Sequence, residues 1–273
     1  MKNTLLTSLF LIVSSVVFSQ DNRTANFPTA IERVEKVPEK SKVWVFIMAG
    51  QSNMAGRGLV EPQDTISNKR ILTINAEGQL IYAKEPLHFY EPTLTGLDAG
   101  LSFGKTLLKS IPSNISVLLI PTAVGGSSIQ QWIGDSVYRK VKLLTNFKEK
   151  VHVAKQYGTI KAILWHQGES DANTVSIPLY DQRLSTLFGT FREIIKNDAL
   201  PIIAGELGSY SDNKQDWAAI NQIIRTHATV DKKMAVVSTE DLKNKGDKIH
   251  FDSEGQRTLG ERYAQAYLKL VAK

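Results

Sequence analysis

The sequence contains no cysteine, which excludes disulfide bonds, thiolate nucleophiles and thiolate metal ligands together. Stability must then come from a hydrophobic core, and 273 residues with 42% apolar side chains are enough to form one. Runs of like charge are also missing: 33 basic residues are mixed with 27 acidic ones, so the formal charge of +6 describes a solvated surface. Nucleic acid is not an expected partner, because its binding needs a clustered basic face. The chain has no internal repeat and no low-complexity tract. Beyond its N-terminal stretch, no apolar run approaches the ~20 residues of a membrane span.

That stretch is unlike the rest. Lys2 precedes an apolar run from Leu5 to Phe18, and Ser19-Gln20-Asp21 follows. A charged start, an apolar middle and small residues at the cut are the layout of a secretory signal peptide, with cleavage after Ser19. The alternative, an uncleaved anchor, is disfavoured because the run is shorter than a spanning helix. Residues 1–19 are thus expected to direct export, giving a secreted or periplasmic protein with no stable membrane association. Residues 20–41 contain Pro28 and Pro38 and alternate in charge through Glu32-Arg33-Val34-Glu35-Lys36, so they read as a polar tether. One domain is expected over 42–273.

Within it, short β-branched runs recur at Val43 to Met48, Val117 to Ile120, Ile160 to Trp165, Ile202 to Ala204 and Met234 to Val237. Apolar runs without alternation suit strands buried on both faces. Between them, Val137, Val141, Leu144, Phe147, Val151 and Ala154 have helical spacing, as do Leu259, Tyr263, Ala266, Tyr267 and Leu270. Leu179 to Ile194 and Trp217 to Ile224 read as two further helices, and Ser253 with Gln256 has capping-box spacing before the last one. Strands alternating with helices predict a three-layer α/β/α domain around a five-stranded parallel sheet. Ligands bind such sheets beyond the carboxyl ends of the strands.

Four polar, glycine-containing segments fall there. The first, Gly50-Gln51-Ser52-Asn53-Met54-Ala55-Gly56, places a serine at a strand exit, though Met54 stands where a G-x-S-x-G elbow has its second glycine. The second carries Gly125 and Gly126, whose N–H groups suit an oxyanion hole, a phosphate cradle or a plain turn. The third, Trp165-His166-Gln167-Gly168-Glu169-Ser170-Asp171, reads as a wall of hydrogen-bonding groups. His166 and Glu169 are too few for a catalytic metal, which normally takes three protein ligands. The fourth joins Asp247 and His250 in an Asp-x-x-His loop, where the acid can orient one ring nitrogen and leave the other to deprotonate a serine. Together these supply nucleophile, oxyanion donors and base.

The residues GQSNMAGRG at 50–58, GLDAGLSFG at 96–104, PTAVGGSSIQQW at 121–132, WHQGESD at 165–171 and DKIHFDSEGQ at 247–256 resemble the SGNH (GDSL-like) hydrolase superfamily. Their wording is similar to the branch of carbohydrate esterase family 6 acetylxylan esterases and sialate O-acetylesterases. The resemblance implies a flavodoxin-like sheet, no metal or organic cofactor, and hydrolysis of acetyl esters on carbohydrates. It implies Ser52 as nucleophile, His250 as general base and Asp247 as its acid, with Glu169 as an alternative or supporting acid. The oxyanion would be held by the backbone of Ser52 and of Gly125 or Gly126, with Gln167 standing where the superfamily has an asparagine. Gln51, Asn53, Trp132 and His166 are expected to bind substrate, while Trp132 and Trp165 have a core role as the competing reading. Arg57 would pair with a substrate carboxylate or in a structural ion pair. Acetylated xylan is the favoured substrate and acetylated sialic acid the alternative; a lipase or thioesterase on the same scaffold, and a sugar-binding protein without catalysis, are the rivals.

Overall fold

Successive residues of the first strand face opposite layers, as the two-residue period of an extended chain requires. Val45, Ile47 and Ala49 enter one core and Phe46 and Met48 the other, all of them fully buried. The computed structural model describes residues 22–272, so the expected signal peptide lies outside the described residues. The elements in chain order are β1 (Val43–Gly50), α1 (Ser52–Ala55), β2 (Ile71–Ile74), β3 (Leu80–Tyr82), α2 (Gly100–Leu107), β4 (Ser116–Pro121), α3 (Ile129–Ile133), β5 (Val137–Tyr138), β6 (Val141–Lys142), α4 (Leu143–Tyr157), β7 (Thr159–His166), α5 (Tyr180–Ile195), β8 (Ile202–Gly205), α6 (Lys214–Val230), β9 (Met234–Val237) and α7 (Ser253–Val271). Among the described residues no helix is long and apolar enough to cross a membrane.

The main sheet has seven strands in the order β3-β2-β4-β1-β7-β8-β9, not the five expected. The five expected strands are all present, and taken alone they run β4-β1-β7-β8-β9, the doubly-wound flavodoxin order. The two additions extend the β4 side: β2 lies parallel to β4, and β3 lies antiparallel to β2. One core holds α3, α4, α5 and α6 against the sheet, and the other holds α2 and α7. That is the three-layer arrangement expected. In the second core Phe46 meets Phe103 and Tyr267 edge-on at 4.7 and 5.0 Å between ring centroids, a favoured aromatic geometry.

Two local expectations are corrected. Val137 and Val141 belong not to a helix but to the β5–β6 hairpin, because Arg139 (φ 45°) and Lys140 (φ 66°) adopt the consecutive left-handed conformations of a tight hairpin turn. The α7 cap is Asp252 rather than Ser253: its side chain accepts the Gly255 N–H at 2.7 Å, while the Ser253 hydroxyl donates to the Leu59 carbonyl. In β7, Lys161 is an extra residue between the pairs Val45–Ile160 and Phe46–Ala162. The bulge lets Ile160 and Ile163 face the same core.

The segment expected as a tether lies along the domain. Arg33 bridges antiparallel to Ile81 at the free edge of β3, Tyr82 N–H donates to the Glu32 carbonyl at 2.9 Å, and Glu32 is paired with Lys84. Such a strap covers an unpaired sheet edge.

Candidate active site

Strand order reverses at β1, so the exits of β1, β4 and β7 surround one crevice. Gly50 ends β1 at φ 135°, and a Cβ there would lie 2.1 Å from the His166 carbonyl oxygen, so only glycine lets the two exits close on each other. The chain then turns directly into α1, whose first residue is Ser52. No residue precedes it inside the helix to accept its N–H, and that donor has no partner among the described residues.

A cavity of about 550 Å³ opens above Ser52. His250 Nε2 lies 3.0 Å from Ser52 Oγ, and His250 Nδ1 lies 2.7 Å from Asp247 Oδ2. The other oxygen of Asp247 accepts the N–H groups of Ile249 (3.0 Å) and His250 (2.8 Å). The loop that carries both residues is closed by the Asn244–Phe251 bridge, and Lys248 passes through a left-handed φ of 58°. Partial burial opposes ionisation of Asp247, but the His250 and Ile249 contacts outweigh it and hold the carboxyl at about 2. Burial pushes the His250 imidazole below its ordinary 6.5, against the upward pull of Asp247.

Glu169 also lines the cavity, and among the described residues it has no hydrogen bond or ion pair to His250. Its Oε1 accepts the Asn53 amide at 2.6 Å and lies 3.7 Å from His166 Nδ1. Asn53 is fully buried below the site, not on its wall. It donates to the Ile249 carbonyl and accepts the Phe251 N–H, both at 3.1 Å, and so grips the chain on either side of His250.

Two oxyanion expectations are corrected. The Gly125 N–H is already donated to Glu91 Oε2 at 2.6 Å, whereas the Gly126 N–H has no partner among the described residues. Gln167 is fully buried, and its amide donates to Asp171 (2.6 Å), Gln51 (3.1 Å) and the Ser127 carbonyl (3.3 Å). It therefore faces away from the cavity and braces the loops behind it.

Of the residues expected to bind substrate, Gln51 lines the cavity, although its Oε1 already accepts from Gln167 and from the Ser170 N–H. Trp132 does not line it: the ring is fully buried, donates to Ser127 Oγ at 2.9 Å and packs edge-on against Trp165 and Phe191. Trp165 is likewise a core residue. His166 is fully buried and donates from Nε2 to the Glu206 carbonyl at 2.9 Å; burial lowers its pKa and keeps it neutral.

A buried clamp beside the serine has no local signature in the sequence. Glu91 accepts Arg57 Nη2 on both oxygens at 2.9 Å, Arg139 Nη1 at 2.6 Å and the Gly125 N–H. Burial would raise its pKa, but Arg57, the Gly125 N–H and Arg139 lower it further. Arg57 thus forms the structural ion pair of its two readings. A Gly125 Cβ would lie 2.0 Å from Arg57 Nη2, which accounts for glycine there.

The protein family described as carbohydrate esterase, sialic acid-specific acetylesterase matches residues 42–269. A protein of Arabidopsis thaliana named a probable carbohydrate esterase is 30% identical over 246 residues, covering 82% of this chain and 90% of that protein. The X-ray structure of an Arabidopsis thaliana protein is similar with a TM-score of 0.73 at 27% identity, covering 83% of this chain and 98% of the other. The crystal structure of NanS shares the fold at a TM-score of 0.70 and 18% identity, covering 87% of this chain and 99% of NanS. The family match spans the whole main sheet and all four loops around the cavity, so the chain belongs to this family of carbohydrate esterases and is a carboxylic ester hydrolase.

Proposed function

We propose that the chain is an exported serine O-acetylesterase of acetylated glycans, with Ser52 as nucleophile, His250 as base and Asp247 as the acid behind it. The observation that carries the reading is the unbroken series from Ser52 Oγ to His250 to Asp247, at 3.0 and 2.7 Å. His250 takes the Ser52 proton as Oγ attacks the acetyl carbonyl, and the Ser52 and Gly126 N–H groups receive the oxyanion. The bond to the sugar oxygen then breaks, and His250 returns the proton to the departing hydroxyl. Water repeats the sequence on acetyl-Ser52, giving acetate and the free serine.

Export is supported by the apolar run from Leu5 to Phe18. Acetate is favoured over a long acyl chain by the cavity wall, where Leu94 and Ile249 are the large apolar residues among mainly polar and charged neighbours. Acetylated xylan remains the first substrate class proposed. Acetylated sialic acid is the second, supported by the family description and by arginines on the cavity wall. Acetate release from a panel of aryl acetate, acetylated xylan and acetylated sialic acid tests the assignment. Release from at least one glycan, with acetyl trapped on the Ser52 peptide, is the expected result; preference for long acyl esters, or no hydrolysis, would overturn it.

A base must be neutral to act, and burial lowers the His250 pKa. The activity should therefore be full at neutral pH and fall only as the pH drops through a value below 6.5, where the imidazole gains its proton. A profile of kcat/KM against pH checks this; a half-maximal point above 7 would contradict it.

A further inference from the structure

Of the two oxyanion donors, the Ser52 N–H is fixed by the start of α1, whereas the Gly126 N–H sits in the least constrained kind of backbone, a pair of adjacent glycines. The Ser127 N–H donates to the Val124 carbonyl at 3.3 Å and Gly126 has φ 80°, the features of a type II turn over residues 124–127. The Gly126 N–H belongs to the central peptide of that turn. Such a donor acts only within about 2.7–3.1 Å of the position the oxyanion will take, so the turn must be held from outside.

The peptides on either side of it are held. Before it, the Gly125 N–H donates to Glu91 Oε2 at 2.6 Å; after it, the Gly126 carbonyl accepts the Ser170 hydroxyl at 3.0 Å. Both contacts lead back to the segment that carries the nucleophile. Glu91 is bonded to Arg57, the second residue beyond α1, whose Nη1 also donates to the Gly56 carbonyl at 2.8 Å. The Ser170 N–H donates at 3.2 Å to the side chain of Gln51, the residue that precedes α1. The two ends of α1 are thus tied to the two ends of the glycine pair, and Gln51, Ser52, Arg57, Gly125, Gly126 and Ser170 all line the cavity. Charge alone does not account for Glu91. A lone carboxylate would oppose a nearby oxyanion, and here two guanidinium groups on one carboxylate leave the clamp with net positive charge.

We propose that Glu91 and Ser170 are positioning residues for the oxyanion hole, fixing the distance between the Ser52 and Gly126 N–H groups by holding the Gly125–Gly126 pair against the two ends of α1. This rests on the acetylesterase reading above. Neither side chain bonds to the ester or carries a proton; each acts through the Gly126 N–H.

The test uses the full chain with an aryl acetate as substrate and methylboronic acid as inhibitor. Ser52 Oγ adds to the boron as its proton passes to His250, and one hydroxyl of the resulting tetrahedral anion takes the oxyanion position. Ser170→Ala keeps the backbone contact to Gln51 and removes only the hydroxyl. It should lower kcat about tenfold, the size of one hydrogen bond, with KM within about twofold and the acid limb of the pH profile unmoved. The inhibition constant of methylboronic acid should rise by the factor that kcat/KM falls. Glu91→Gln should also lose activity although it removes a negative charge beside the oxyanion, because its NH₂ must face the Gly125 N–H or an arginine, and none of these accepts. The double variant should stop near the roughly 10²- to 10³-fold loss of one oxyanion donor. If Glu91→Gln does not fold, Ser170→Ala decides, since its partly exposed hydroxyl makes one contact. An unchanged kcat in Ser170→Ala, a loss in KM alone, a loss without weaker boronate inhibition, or a folded Glu91→Gln protein faster than the parent overturns the proposal. Any of these with a parent that hydrolyses aryl acetate leaves the acetylesterase reading standing. No hydrolysis by the parent removes both.

Discussion

Ser52→Ala is expected to lower kcat for acetate release by roughly 10⁴- to 10⁶-fold while leaving thermal unfolding in place. The loss should be large because the hydroxyl is the bond-forming atom, and among the described residues no other hydroxyl is hydrogen-bonded to His250. The fold should be indifferent because the side chain accepts no structural load: its one hydrogen bond is to His250 Nε2, and the α1 backbone and the Gly50 turn are set by Gln51 and Gly50. His250→Ala should cost about as much, and Ser52→Ala with His250→Ala no more than either alone, because the two residues act in one proton transfer. The residual rate would be that of bound ester held by the Ser52 and Gly126 N–H groups. Steady-state kinetics on an aryl acetate measure all three variants; a Ser52→Ala protein with a tenth of the parent rate would rule out acyl transfer through this serine.

The serine, histidine and aspartate were legible for a local reason. Each sits within a few residues of a strand exit, and Asp247 and His250 share one loop, so reading strands from β-branched runs was enough to collect them. The buried strands are legible because both faces of the sheet are covered, which makes every position of β1 and the run from Ala162 to Trp165 in β7 non-polar. Thr73 interrupts the apolar run of β2, its hydroxyl donating to the Leu119 carbonyl at 2.9 Å, and β3 has only three residues, of which Ile81 and Tyr82 are partly exposed at the sheet edge. Facing was the harder quantity. Trp132, His166, Asn53 and Gln167 all lie at or just beyond the strand exits that surround the site, but such a segment has an inner and an outer side, and all four side chains are fully buried. The Glu91 clamp left no local trace, since it joins residues 34 and 48 positions apart along the chain.

The acid behind His250 gives the second large effect. Asp247→Asn is expected to lower kcat by about 10³- to 10⁴-fold at neutral pH. Oδ1 of Asp247 accepts two backbone N–H groups, from Ile249 and His250, so an asparagine would keep its carbonyl oxygen there and turn its NH₂ toward His250 Nδ1. That amide can only donate, so it would hold the ring in the tautomer protonated at Nε2, which cannot take the Ser52 proton. Losing the carboxylate also removes the main upward influence on the imidazole, so the acid limb of the residual activity should move to lower pH. Glu169→Gln acts differently. Its effect travels through Asn53 to the backbone on either side of His250, so a loss of about tenfold is expected, since a positioning contact is weakened and the proton path is intact. Measuring kcat and the pH profile of both variants separates the two carboxylates. If Glu169→Gln proved the more damaging and shifted the acid limb while Asp247→Asn did neither, Glu169 would be the group that charges against the imidazole, and the loop would have to rearrange when ester binds.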